Sequence, residues 1–461
     1  MSFSDLSFLF GAFPIFIIVF YVSKEKFRPF ILLLFSIWFY YVNDSNSVAI
    51  MLGVIVTNYL FGILIDKTTN KNLRSLVLLI GVASNILFFI YRRYYYQIFR
   101  NAVMDEIHPI VMLVGQSFFT FSIISYLVDI YRGKIKSELN IIHFANYVIM
   151  FPKIIMGPIV RYADVKEDLH TLNVTREDLN YGIRRFVFGF SKKVIIADNL
   201  ALLVSEVTSV DSIENTVFSL WISSIAYSLE LYLDFSGYSD MAIGLSKMIG
   251  IGIKENFDHP YMCKTFTDFW RRWHISLSGF FRDYVYIPLG GSRKGIARHV
   301  LNLMIVWLLT GLWHGKGWNF IAWGLIYFAV LVIEKYIVKP SERNKLIQFI
   351  YRIFTLLIVN LNWVMFSIGS FRFGFKYICR MFVILPSSGT FGVEDIRYLR
   401  EYGIYFVIAI IFAMPVRELI YNKFKIQNKV IIECIGLVFL MIVSISYIMI
   451  GFQKPFLYQQ F

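Results

Sequence analysis

The sequence predicts an all-α, polytopic integral membrane protein of about ten to twelve spans, with re-entrant or interfacial helices in its middle. Three observations predict it. The residues are 57% hydrophobic, 18% aromatic and only 16% charged, whereas a soluble domain carries roughly 25% charge. Apolar runs recur from the first residues almost to the last, and the mean hydropathy is +0.61. No Pro/Gly/Ser-rich linker separates two blocks, so residues 1–461 read as a single membrane domain. The spans read as helices rather than the strands of a barrel.

The first run, Leu6–Val22, precedes the basic residues Lys24, Lys26 and Arg28. A cleavable signal peptide has the opposite order, so this run reads as a retained span. Further runs are Phe30–Val42, Val48–Ile65, Leu73–Tyr91, Ile110–Val128, Val187–Val204 and Thr216–Leu233, then Val300–Leu312, Ile321–Ile337, Phe354–Ile368, Ile404–Met414 and Val430–Ile450. Several fall short of the roughly 20 residues a perpendicular crossing needs. Those read as half-membrane elements or as spans with polar ends.

Charge orients the early spans. The clusters at Lys24–Arg28, Lys67/Lys71/Arg74 and Arg132/Lys134/Lys136 alternate with the acidic turn at Asp44. The positive-inside rule then puts the basic loops in the cytoplasm and the amino terminus outside. Arg92, Arg93 and Arg100 read as an exception, in a loop on the outer side. The formal net charge of +14 lies in interspan loops without a nucleic-acid recognition motif, so membrane lipid, and no nucleic acid, is the partner it indicates. Cys263, Cys379 and Cys434 have no CxxC spacing and suggest neither a disulfide framework nor a thiolate metal site; no metal is expected.

Three segments in the middle are unlike simple spans. Phe151–Tyr162 reads FPKIIMGPIVRY, where two prolines and a glycine accompany Lys153 and Arg161. Non-helical backbone at membrane depth must be covered by protein or line a watered cavity, so this is either a re-entrant loop or an interfacial turn. Phe235–Gly244 reads FSGYSDMAIG. Its Asp240 either answers a histidine or arginine or caps a helix beginning at Met241. Thr265–Gly295 interleaves Asp268, Arg271, Arg272, His274, Arg282 and Asp283 with aromatic residues. It reads as an interfacial or re-entrant helix pair around a polar chamber, or as a basic amphipathic helix at the headgroups. Arginine suits the chamber because its planar fork clamps a carboxylate or phosphate in parallel bonds. His314 follows at the end of an apolar run, beside Gly311, Gly315 and Gly317. Histidine takes and returns a proton near neutral pH, and glycine lets a substrate or a backbone approach closely.

FWRRWHISLSGFFRDYVYIPLGGSRKG at Phe269–Gly295 and LTGLWHGKGWNFIAWG at Leu309–Gly324 together resemble the membrane-bound O-acyltransferase family, in its bacterial branch that includes the membrane subunit of alginate O-acetylation. GPIVRY, FSGYSDMAIG and the closing KPFLYQQF extend the match in order along most of the chain, with Gln459 and Gln460 as a mild departure. The resemblance implies a bacterial inner-membrane protein with a central funnel. It implies that His314 is the catalytic histidine and His274 the second histidine of this branch. It also implies an acyl donor entering from the cytoplasm and an acceptor approaching from the other side.

The chemistry of the residues fits that role. A neutral histidine within about 3 Å of an attacking hydroxyl is a suitable general base, and a protonated His274 or an arginine could meet the developing oxyanion. Asp240 or Asp283 could set a histidine tautomer. Arg271, Arg272, Arg282, Arg293, Lys294, Lys153 and Arg161 are the candidates for the donor funnel. The donor expected is acetyl-coenzyme A, a substrate rather than a tightly bound cofactor. The acceptor expected is an extracytoplasmic polysaccharide, reached through an exported hydrolase-like acetyltransferase subunit. The alternatives are D-alanyl transfer from a carrier protein toward teichoic acid, and a transporter or flippase built on broken helices.

Overall fold

The computed structural model describes residues 1–99, 112–415, 429–451 and 454–457. Its regular elements are all helical, so the backbone groups are satisfied within each segment, as a membrane demands. In chain order they are α1 (Phe13–Val22), α2 (Arg28–Asn43), α3 (Val48–Lys67), α4 (Lys71–Phe99), α5 (Gln116–Tyr131), α6 (Ile141–Ile149), α7 (Phe151–Ile154), α8 (Tyr162–Thr171), α9 (Arg176–Ser191) and α10 (Asp198–Ser209). There follow α11 (Val217–Met248), α12 (Phe266–Arg272), α13 (Ile275–Phe281), α14 (Ile296–His314), α15 (Trp318–Ile333), α16 (Lys345–Ser367), α17 (Phe371–Met381), α18 (Val393–Ala413) and α19 (Lys429–Met449).

Among the described residues, six helical segments are long and apolar enough to cross a bilayer: Ser45–Lys67, Lys71–Tyr94, Ile296–His314, Trp318–Glu342, Lys345–Ser367 and Ile431–Met449. The protein is a multi-pass membrane protein. α4 and α19 turn large apolar side chains outward, among them Leu79, Leu87, Ile435 and Phe439, which suits lipid rather than water. Two of the remaining apolar runs become other things. α5 has 16 residues, twelve of them buried, so its apolar character serves a protein core. Val187–Val204 is divided by a π-helical turn at Lys192–Ala197. Arg92 and Arg93 continue α4 instead of forming a loop, and Arg93 is buried; Arg100, Ile110, Gln459 and Gln460 lie outside the described residues.

The described chain forms two compact units, Met1–Phe186 with Ser239–Glu255 and Val187–Tyr238 with Asn256–Phe461. In the first, the Pro/Gly segment is the single turn α7 followed by non-helical chain, and residues 150–160 are all buried. Protein thus covers the irregular backbone. FSGYSDMAIG does not start a helix at Met241: α11 runs unbroken through it, so Asp240 caps nothing. Its glycines serve packing. A Cβ at Gly244 would come 2.6 Å from the carbonyl oxygen of Gly182, and one at Gly237 would come 2.7 Å from that of Gly189. Small residues that let backbones touch are how membrane helices associate.

Candidate active site

The second unit holds both histidines. α12 has only seven residues, too few to set its own direction. The buried Glu334 at the end of α15 accepts the Phe266 N–H at 2.7 Å and the Thr267 N–H at 3.0 Å, and the hydroxyls of Thr267 and Tyr351 also donate to it. A carboxylate there satisfies orphan donors and meets the positive end of the helix dipole. Thr265 completes the cap by accepting the Asp268 N–H at 3.1 Å.

His274 stands where α12 turns into α13, in the left-handed region at φ 45°, and is 1% exposed. Its Nδ1 lies 3.2 Å from Oδ1 of the fully buried Asn256. The backbone N–H of Ser276 donates to the same atom at 3.1 Å, which identifies that atom as the amide oxygen, an acceptor. The Nδ1 of His274 must therefore carry the proton. In a neutral ring the lone pair then falls on Nε2. Phe235 meets the ring edge-on at 4.8 Å between centroids.

His314 ends α14, 5% exposed, among Trp313, Trp323 and Phe366, whose ring centroids lie 4.5, 4.8 and 5.0 Å away. Trp313 also lies 6.0 Å from His274, so both histidines border one indole. The glycines around His314 admit backbone. A Cβ at Gly311 would meet the Phe320 carbonyl oxygen at 2.6 Å, and one at Gly324 would meet that of Trp307 at 2.5 Å. α14 and α15 thus pack main chain to main chain, which fixes the helix end that carries His314.

A cavity of about 630 Å³ lies in the same unit. On α14 its wall is His299, Leu303, Val306, Trp307 and Thr310, spaced along one helical face over about 17 Å. His314 continues that face one turn further. Trp323 touches both Trp307 and His314. Arg271, Arg282, Lys335 and Lys339 border the cavity and are exposed.

The chain belongs to the membrane-bound O-acyltransferase family. The family model matches residues 132–376, which include both histidines, Asn256, Glu334 and the cavity walls. The chain is 36% identical over 418 residues to a probable alginate O-acetylase of Pseudomonas putida, covering 88% of this chain and 84% of that one. It is 31% identical over 424 residues to a peptidoglycan O-acetyltransferase of Helicobacter pylori, covering 82% and 79%. A teichoic acid D-alanyltransferase of Bacillus subtilis is 30% identical over 249 residues, 52% of this chain and 62% of that one. As a member of this family the chain is an acyltransferase, a multi-pass protein of the bacterial inner membrane.

The other residues singled out in the sequence are dispersed. Arg271 is exposed on the cavity wall, whereas Arg272 ties Asp268 at 2.9 Å and Asp258 at 3.1 Å. Arg282 pairs with Asp283 at 2.7 Å. Arg293 and Lys294 project from an exposed turn whose Gly290, Gly291 and Gly295 all have positive φ. Lys153, Arg161 and Asp240 belong to the first unit. There Lys153 is buried over the Tyr147 ring, Arg161 immediately precedes α8, and Asp240 accepts from Arg185 at 2.8 Å. The group on His274 is Asn256, an amide in no charged or catalytic pattern. Glu334 escaped notice because it ends an apolar run 68 residues from its partner Phe266. A third missed group is Lys193, buried at 2.7 Å from both Asp198 and Asp234. The π-helical turn between Lys193 and Asp198 brings residues five apart onto one face, and the Leu457 N–H adds a donor to Asp234 at 3.0 Å.

Proposed function

We propose that this acyltransferase takes acetyl from acetyl-coenzyme A on the cytoplasmic side and delivers it toward an extracytoplasmic polysaccharide, through an exported partner. The observation that carries this reading is the cavity along α14, bordered by four exposed cations and one exposed carboxylate, Glu342, whose α14 wall ends at Thr310, one helical turn before His314. A phosphorylated donor has its charge recognised by Arg271, Arg282, Lys335 and Lys339, while its thioester arm follows the largely apolar wall. The acceptor hydroxyl loses its proton to His314 as its oxygen attacks the thioester carbonyl. The tetrahedral intermediate then collapses, expelling the coenzyme A thiolate, which recovers the proton from the imidazolium. His274, with Nδ1 committed to Asn256, presents Nε2 and orients the acceptor.

Acetyl is favoured over D-alanyl because the two O-acetylating relatives align over more than four fifths of the chain and the D-alanyl relative over about half. Reconstituted protein tests this directly. With the donor supplied to the basic-loop face of proteoliposomes, acetyl-coenzyme A is expected to bind and release free thiol when acceptor is present, and D-alanyl carrier protein is not. Turnover of the carrier protein without turnover of acetyl-coenzyme A would reverse the assignment.

A further inference from the structure

The first unit contains a cluster outside the acyl-transfer machinery, made of Glu138 in the loop before α6, His143 in the first turn of α6 and His170 in the last turn of α8. Each offers a ligand atom, and these atoms all lie within 4.8 Å of one another. The His143 and His170 rings are 4.2 Å apart between centroids, and the His170 Nε2 lies 2.6 Å from Glu138 Oε2. We propose that Glu138, His143 and His170 form a binding site for a divalent transition-metal ion of the zinc class.

The carboxylate is prepared for this. Oε1 of Glu138 accepts the Asn140 N–H at 2.7 Å, the Tyr162 hydroxyl donates to Oε2, and the Glu138 N–H donates to the Tyr126 hydroxyl at 2.9 Å. It is therefore a carboxylate ligand already oriented by hydrogen bonds from its surroundings, as metal carboxylates are.

His143 supplies the observation that a hydrogen-bonded junction leaves unexplained. Its Nδ1 is buried with no hydrogen-bond partner among the described residues, although Glu138 and His170 are adjacent. Burying such a group without compensation is costly, and coordination of the ring would supply the compensation. Two imidazoles and one carboxylate suit zinc and its first-row neighbours, not calcium or magnesium, which take oxygen ligands. His170 is 39% exposed, so it can turn its Nε2 from the carboxylate onto the ion and leave a further position open to solvent. The spacing matches no short metal motif; the fold alone assembles it. A bound ion would tie the 138 loop, α6 and α8 together.

Untagged protein, purified in detergent and stripped with chelator, is titrated with zinc and with cobalt(II), reading stoichiometry, the visible cobalt spectrum and thermal unfolding. One equivalent is expected, with cobalt bands of a low-coordinate nitrogen/oxygen site and a raised unfolding temperature. All three signals should be lost in H143A and H170A, and calcium and magnesium should reproduce none of them. Absence of stoichiometric binding, or binding unchanged in H170A, overturns the site; His170 is exposed, so that variant decides even where H143A fails to fold. The readout is metal, not acyl transfer, so this inference and the proposed function fail separately.

Discussion

His274 and His314 lie in one unit, both almost fully buried and both against Trp313, yet they are held by different physics. His274 is fixed by polarity. A left-handed backbone turns it onto the Asn256 carbonyl oxygen, and that contact dictates which nitrogen carries the proton. His314 is fixed by shape. Three aromatic rings surround it and two glycines clamp its helix to α15. A tautomer imposed by one hydrogen bond suits a group that must present a particular nitrogen. An aromatic cage excludes water, which on the proposed mechanism suits a group that must take a proton and give it back.

The largest expected effect that separates the two is His314→Ala. On the proposed mechanism it lowers acetyl transfer about a hundredfold or more, the usual contribution of a general base, with donor affinity nearly unchanged; equilibrium binding and single-turnover transfer on one preparation check both. Next comes Asn256→Ala, expected to cost about tenfold in transfer, because the neutral His274 ring loses tautomer control. The same change in a His274→Ala background should cost almost nothing further. An equal loss in both backgrounds would make Asn256 merely structural.

A smaller effect is expected of Glu334→Gln. It keeps the shape but weakens the charge-assisted bonds to the start of α12, lowering stability by about 1–3 kcal/mol in thermal or denaturant unfolding while donor affinity falls modestly. The smallest effect belongs to Arg293→Ala and Lys294→Ala. Being exposed, these cations act at range, so their loss should raise the donor requirement a few-fold at low salt and vanish at physiological salt, where screening reaches about 8 Å. Unchanged donor affinity at both salts would return them to the role of positive-inside anchors.

The helical membrane class was legible because composition and continuous apolar runs depend on no partner. Both histidines were singled out because the motifs around them carry the family resemblance, and their roles are what the experiments above test. The number of full-length spans was not legible, since an apolar run such as that of α5 looks the same whether lipid or protein covers it. Asp240 illustrates the same limit: Ser, Gly and Asp before an apolar stretch look like a cap, whereas tertiary packing through Gly237 and Gly244 carries α11 straight through. Asn256 and Glu334 were invisible because their partners lie 18 and 68 residues away. Only folding gives either one its role.

The claim that both histidines serve a single acyl-transfer step is tested most directly by a double-variant cycle. Single-turnover acetyl transfer is measured for wild type, H274A, H314A and the double variant at saturating acetyl-coenzyme A. Groups acting as a unit are strongly non-additive. The account predicts that the double variant is no more than about threefold slower than H314A alone. Multiplication of the two single losses, or an H314A rate above roughly a tenth of wild type, would contradict it.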